Sequence, residues 1–301
     1  MYLKNKTKIA IFGDGKWCHL LLKRALSDKT VEIVFVCGRY KLDDELLKIS
    51  KKNKLIFLRP KKVNSKNFYN VISKINTDIC ISMSYDQIFK KKILNLYKDK
   101  IFNCHAGLLP FYRGRNVLNW VLINGEKYYG VTFHAVDKTI DTGDILLQKK
   151  IKIEKKWQYK DILKSAFINC SSICYEGIKL IQKGKFKLIK QSSISKKSSY
   201  FRKRVKGDEI LDVRLNAQKI INFVKALSYP GPFARVRYKK SKIFLHSASS
   251  KIINAQNYSI GEIVKKNQKM FIFFTSDKKL IQINKWSSDK KIDLKVGDKI
   301  T

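Results

Sequence analysis

"KIAIFGDG", residues 8–15, is an unbroken apolar run closed by a glycine turn. Ile9-Ala10-Ile11-Phe12 leaves no polar face, so a strand here must be covered on both sides. An amphipathic helical pattern follows through Leu26, and the same alternation then repeats. "VEIVFVCG" (31–38) is a second buried run, with a helical pattern from Asp43. "LIFL" (55–58) precedes a helix over about 65–75, "DICISMS" (78–84) a helix near 88–97, and "KIFNCHAG" (100–107) is the fifth strand. Apolar strands alternating with amphipathic helices predict an α/β fold, a mostly parallel Rossmann-like sheet with helices on both faces. In such sheets functional groups collect at the carboxyl ends of the strands, where Asn103 and His105 fall. The turn Gly13-Asp14-Gly15 is half of a dinucleotide fingerprint: Cys18 replaces the third glycine and no acidic residue clearly ends the second strand, so NAD is not expected.

From Tyr129 the pattern changes. "YGVTFHAVD" (129–137) and "DILLQKKIKI" (144–153) alternate more, with "KTIDTG" (138–143) as a hairpin-like connection. A long amphipathic helix is predicted over about 158–183. "KKSSYFRKRVKGDEI" (196–210) is polar and basic, the best linker in the chain, and a helix over 215–227 stops at "SYPGPF" (228–233). The tail carries short strand-like segments, "KIFLHSA" (242–248) and "KMFIFFTS" (269–276). The expected organisation is therefore a catalytic domain over 1–195, followed by a linker, a helix and a small β-rich unit over 196–301.

At 301 residues, 44% of them hydrophobic, the chain has the composition of a packed protein with room for two cores. No apolar stretch is long enough to span a bilayer, and the first residues lack a signal-peptide pattern, so a cytoplasmic protein is expected. The six cysteines form no C-x-x-C and sit in apolar patterns, which suits buried thiols rather than a zinc site. A formal charge of +40 raises the question of nucleic acid. The excess is mostly lysine spread along the whole chain among Ile, Asn, Phe and Tyr, the bias of an AT-rich genome, and it does not by itself mark a nucleic-acid surface.

Asn103 and His105, two apart on a strand, point to one face. An Asn N–H can bind a developing oxyanion, and a neutral imidazole can take a proton from an amine. A carboxylate from another loop, Asp141, can orient the imidazole or receive the proton itself. Cys104 faces the other way, and neither metal nor covalent nucleophile is required. The set suits direct attack by an amine on an activated carbonyl, although an Asn-x-His strand and a DTGD turn can equally be structural.

"NCHAGLLPFYRGRN" (103–116) and "GVTFHAVDKTIDTGDILLQ" (130–148) resemble the folate-dependent formyltransferase family in their Asn-x-His, Leu-Leu-Pro, Gly-Val-Thr and Asp-Thr-Gly segments. The similarity runs from residue 8 to about 190 and is densest between 80 and 150. It implies formyl transfer from 10-formyltetrahydrofolate to an amine, with Asn103, His105 and Asp141 catalytic. It also implies folate contacts from Met83, Ser84, Tyr85, Asp86, Gln87 and Ile88, and from the loop of Lys138 and Thr139. "YRGRNVLNWVLINGE" (112–126) is similar to sugar N-formyltransferases, in particular to the formyltransferase part of the bifunctional 4-amino-arabinose enzymes. A free-standing enzyme without their fused dehydrogenase domain is expected, and Val117 stands where many relatives have Pro or a small residue. The resemblance implies a nucleotide-linked amino sugar as substrate and a homodimer. Arg113, Gly114, Arg115 and Asn116 are then the candidate substrate contacts, the arginines suiting a diphosphate. Surface pairing with Glu126 or Asp137 is the plainer alternative for the arginines. His19, His134 and His246 are expected to be packing or surface residues, with His134 at best lining the cleft. Methionyl-tRNA formyltransferase is the alternative, favoured by the charge and the basic segment 196–207. A non-catalytic RNA-binding protein on the same scaffold is the third reading.

Overall fold

Ile9, Ala10, Ile11 and Phe12 are all fully buried, as an apolar run without a polar face requires. The computed structural model describes residues 6–41, 44–184 and 186–301; Asp43, from which a helical pattern was expected, lies outside them. The chain divides into two compact units, one of Met1–Gly114, Gly130–Ile151 and Ser165–Tyr200, the other of Arg115–Tyr129, Lys152–Lys164 and Phe201–Thr301. The elements in chain order are β1 (Thr7–Gly13), α1 (Gly15–Leu26), β2 (Val31–Gly38), α2 (Asp44–Lys52), β3 (Phe57–Leu58), α3 (Lys66–Ile72), β4 (Ile79–Met83), α4 (Lys91–Leu96) and β5 (Ile101–His105). Then come β6 (Arg113–Gly114), α5 (Val117–Ile123), β7 (Tyr128–Ala135), β8 (Ile145–Lys152), α6 (Tyr159–Gln182), α7 (Gln191–Ile194), β9 (Tyr200–Phe201) and α8 (Ala217–Leu227). The chain ends with β10 (Ala234–Tyr238), β11 (Ser241–Asn254), β12 (Ile263–Lys266), β13 (Phe271–Phe274) and β14 (Lys279–Ser288).

Among the described residues the main sheet has seven strands in the order β3-β2-β1-β4-β5-β7-β8. β1 to β5 run parallel, whereas β7 pairs with β5 antiparallel, and this is where the sequence pattern begins to alternate. The order is Rossmann-like around β1 and β4, which puts the ends of β4 and β5 side by side. One face of the sheet buries Ala10, Phe12, Phe35, Cys37, Cys80 and Ile101 against Val63, Phe68 and Ile72 from the α3 region and Phe89, Ile93 and Tyr97 from the α4 region. Phe12 is the hub of that face, edge-to-face with Phe35, Phe68, Tyr85 and Phe89 at 5.0–6.3 Å. Removing such a ring costs about 3–5 kcal/mol. Because two of its partners follow β4, Phe12 also anchors the loop at that strand's end. Asp14 and Ser65 cap α1 and α3 by accepting from Gly15 N–H (2.9 Å) and Phe68 N–H (3.3 Å), the residue types that helix starts favour.

In the second unit, among the described residues, β10 to β14 form a five-stranded sheet in the order β10-β11-β14-β13-β12, antiparallel throughout. The fold is thus a mostly parallel α/β sheet followed by a β-rich C-terminal unit. α8 packs on β11, and α5 packs on α8, where Asn119 Nδ2 donates to Ala226 O at 2.6 Å. The basic segment 196–210, expected as a linker, is held along its length. In the first unit Ser199 Oγ accepts from Tyr112 N–H (2.9 Å) and Ser198 Oγ from Arg113 Nη2 (2.9 Å). In the second, Arg202 pairs with Asp208 (2.7 Å) and Arg204 N–H donates to Asn116 Oδ1 (3.0 Å). No described helix is long and apolar enough to cross a membrane.

Candidate active site

The antiparallel register of β5 and β7 sets Asn103 opposite His134 and His105 opposite Thr132. Directly opposed residues on one face lie close enough for side-chain contact. Asn103 Nδ2 is 3.2 Å from His134 Nε2 and donates to Asp141 Oδ1 at 3.4 Å. His105 Nδ1 lies 3.5 Å from Asp141 Oδ2, and His134 Nε2 lies 3.6 Å from Asp141 Oδ1. The three residues expected at the site are therefore brought together, with a fourth, His134, expected as a packing or surface residue lining the cleft at best. His134 Nδ1 sits 2.8 Å from Ala135 O, which only a protonated nitrogen satisfies. In the neutral ring this leaves Nε2 as the acceptor for the Asn103 amide. His105 has an acceptor at each ring nitrogen, since Nε2 lies 2.6 Å from Tyr112 O. A neutral ring can donate to only one of the two, and a protonated ring to both.

Asp141 sits in the left-handed region (φ 56°), a conformation that costs a non-glycine residue about 1–3 kcal/mol. Its carboxylate is 10% exposed, and Gly114 N–H donates to Oδ2 at 2.9 Å. Burial alone would raise its pKa; the charge of His105, the bonding to His134 and the Gly114 amide outweigh that and hold it well below the usual carboxylate range. Asp137 shapes the loop from the other end. Its carboxylate accepts from Thr139 N–H (2.9 Å) and from Thr142 Oγ1 (2.7 Å to each oxygen), an Asx-type staple. Thr139 and Thr142 also bond to each other through their hydroxyls.

The Gly-Val-Thr strand has a mechanical role. A Cβ on Gly130 would come within 2.5 Å of Leu108 Cα, so only glycine lets β7 run this close to the loop after β5. Thr132 Oγ1 donates to Gly107 O (2.7 Å) and accepts from Gln148 Nε2 (2.9 Å), which also donates to Leu109 O (2.9 Å). The loop that continues from His105 is thereby fixed. Cys104 points the other way, as expected, with Sγ 3.4 Å from Cys170 O on α6. All six cysteines are buried, and none of them is in a disulfide.

The candidate donor-binding residues lie on two loops of the first unit. Met83 is buried at the end of β4. Ser84 is left-handed (φ 56°), and Arg39 holds it through its carbonyl and hydroxyl while pairing with Asp14 at 3.1 Å. Tyr85 stacks on Phe89 (5.7 Å) and meets Cys37 Sγ (3.6 Å), whose thiol burial pushes up to about 12. Gln87 Oε1 accepts from Val63 N–H at 2.8 Å. Tyr85 and Gln87 thus spend their side chains on the protein's own loop, while Asp86 and Ile88 are exposed, as are Lys138, Thr139 and Ile140.

Arg113 and Gly114 belong to the first unit, Arg115 and Asn116 to the second. Arg113 Nε is buried and lacks a hydrogen-bond partner. Gly114 uses its N–H on Asp141, Arg115 is exposed with its N–H on Phe201 O (2.9 Å), and Asn116 Oδ1 is taken by Arg204. Among the described residues no group of His, Cys, Asp or Glu side chains is arranged to hold a metal ion.

An Asn, two His and an Asp are gathered at the end of a Rossmann-like sheet, a set of groups that can handle the protons and charge of amine and carbonyl chemistry. The family model described as formyl transferase matches residues 6–167 and its C-terminal domain matches 204–298; the chain belongs to the formyl transferase family and is a formyltransferase. It is 40% identical over 187 residues, 62% of this chain, to the bifunctional polymyxin resistance protein ArnA of Wigglesworthia glossinidia brevipalpis, and spans 28% of that protein's length. It is 30% identical to the methionyl-tRNA formyltransferase of Thermodesulfovibrio yellowstonii, over 83% of this chain and 82% of that one. Its fold is shared with the N-formyltransferase from Helicobacter canadensis, solved with folinic acid and dTDP-3-aminofucose (TM-score 0.70, 21% identity, 93% of this chain and 99% of that chain). It is also shared with the sugar 3N-formyl transferase WlaRD (TM-score 0.68, 22% identity, 96% and 100%).

Proposed function

We propose that the protein transfers the formyl group of 10-formyltetrahydrofolate to the amine of a nucleotide-linked amino sugar. The observation that carries the reaction is the convergence of Asn103, His105 and Asp141, with distances of 3.4–3.5 Å linking both partners to one buried carboxylate. When bound, the donor supplies an electrophilic formyl carbon on a nitrogen leaving group. Asn103 Nδ2 and His105 Nε2, which in the structure face His134 and Tyr112 O, are the N–H groups that turn to the oxygen on which charge develops. His105 or Asp141 takes the proton from the attacking amine and returns it to the donor nitrogen as the formyl C–N bond breaks and tetrahydrofolate leaves. The Asp141 charge stabilises a protonated His105. The donor's flat ring system suits the apolar surface that exposed Ile88 and Ile140 present, one on each candidate loop. On this reading residues 1–195 hold donor and catalytic groups, and 196–301 form the C-terminal unit.

For the acceptor, the half-buried Arg113 and the exposed Arg115 carry guanidinium charges suited to phosphate oxygens. The 40% identity to ArnA and the complex of the Helicobacter canadensis enzyme with a dTDP-amino sugar support the same class. The second reading, methionyl-tRNA formyltransferase, is favoured by the relative aligned over 83% of the chain and by the +40 charge.

The test is a formyl-transfer assay with 10-formyltetrahydrofolate, offering nucleotide-linked 3- and 4-amino sugars beside charged initiator tRNA. Formylation of a sugar and not of tRNA is expected. Transfer to tRNA alone, with binding that weakens steeply as salt rises, would replace this reading with the second.

A further inference from the structure

Asp141 is held from behind by a residue that follows it by fifty positions. Gln191, at the start of α7, is 8% exposed, and its Nε2 donates to Asp141 O at 2.9 Å and to Gly143 O at 2.8 Å. A carboxamide nitrogen has two hydrogens, and here each has its own backbone carbonyl on the same loop. Ile189, two residues earlier, fixes the approach by exchanging both backbone bonds with Ile145 at 2.8 Å. Gln191 is thus tied to the start of β8 and grips the loop just before it.

We infer that Gln191 is a positioning residue for catalysis: its amide clamps the backbone of Asp141 so that the carboxylate stays against His105 and Asn103. The inference rests on the proposed role of Asp141. The left-handed backbone of Asp141 has no glycine to make it easy and must be held by its surroundings. Gly114 N–H holds the carboxylate, and the Asp137 staple holds the first half of the loop. The peptide carbonyls on either side of Thr142 are held by Gln191. In a buried site these bonds face no competition from water, so losing both donors leaves two carbonyls unsatisfied and the loop free to relax. A shift of about 1 Å at a reacting group can cost about 100-fold in rate.

The test is a double-mutant cycle on kcat, with 10-formyltetrahydrofolate and whichever acceptor the panel identifies, using Asp141→Asn, Gln191→Met and the pair. Gln191→Met keeps the length and removes both donors; it should lower kcat about 10- to 100-fold with little change in either KM. In the Asp141→Asn background the same change should cost at most a few-fold, because its effect runs through the carboxylate. An equal loss in both backgrounds would mean a general structural role, and undiminished kcat in Gln191→Met would overturn the inference outright. Full turnover in Asp141→Asn alone would instead refute the reading on which it rests. Gln191→Glu serves if the Met variant does not fold. At pH 8 its carboxylate faces two carbonyl oxygens in a buried position, which pushes its pKa up from the usual value. As the pH falls from 8 toward 5 protonation restores one donor, so its kcat relative to wild type should rise. A flat ratio would count against the clamp.

Discussion

His105 Nδ1 and Asp141 Oδ2 face each other at 3.5 Å, with both side chains about nine-tenths buried. The carboxylate stays ionised through the neutral range and below it, because the histidines and the Gly114 amide hold its pKa down against burial. Asp141→Asn keeps the shape and removes the charge. We expect kcat to fall by roughly 10²–10⁴, the range of a lost acid–base partner, with donor KM changed only a few-fold. Steady-state kinetics decide this: a large rise in KM at normal kcat would make Asp141 a binding residue instead.

His134 reaches the site only because β7 pairs with β5 in a register that opposes it to Asn103. In the neutral ring, with Nδ1–H on Ala135 O, its Nε2 accepts from the Asn103 amide, so His134→Ala releases the amide without removing it. We expect a loss in kcat of about 10- to 100-fold, below the 10²–10³ of deleting an oxyanion donor outright. His134→Gln, which keeps an acceptor, should recover part of it. Equal losses for both variants would show that the acceptor is not what matters at this position.

The parallel sheet and the strand-end site were legible because their signals are local. Ile9–Phe12 and Ile79–Met83 are apolar runs whose burial follows from composition alone, and Asn103 and His105 share a face by their spacing. His134 and Gln191 were not legible in the same way. The importance of His134 depends on a strand register that brings residues 31 apart into contact, and that of Gln191 on a contact spanning 50. β11 shows the same limit within one element: only its "KIFLHSA" portion (242–248) reads as a strand. It nevertheless runs from Ser241 to Asn254 against β14, with register shifts after Leu245, Ser247 and Ala248 that break the two-residue period on which such reading depends.

Gly143 is set against β7 so closely that a Cβ would overlap the carbonyl oxygen of Ala135, the same oxygen that holds His134 Nδ1. The neighbour is backbone and cannot swing aside. Gly143→Ala should therefore destabilise the first unit by about 1–3 kcal/mol, the cost of overpacking. It should also lower kcat by displacing Asp141 and His134 together. Thermal melting and kinetics on the same sample test both, and a variant with normal Tm and normal kcat would mean that the loop moves away at no cost.

Asp28 joins distant parts of the first unit. Its carboxylate accepts from Tyr175 Oη (2.7 Å), Lys179 Nζ (2.9 Å), Thr30 N–H (2.8 Å) and Thr30 Oγ1 (2.7 Å), tying the start of β2 to α6. Burial alone would raise its pKa, but the bonds from Lys179, Thr30 and Tyr175 together hold it well below the usual value of 3.8. A carboxyl whose pKa is depressed by folding adds stability above its unfolded pKa and loses it as the pH falls toward the folded value. Asp28→Asn should therefore cost about 1.5–3 kcal/mol at pH 7, as for hydrogen bonds to a charged group, and toward the lower end because Lys179 is partly exposed and screened. The gap in Tm between wild type and variant should narrow as the pH is lowered from 5 toward 2. A gap of the same size at pH 7 and pH 3 would show that the contribution lies in packing rather than in the charge.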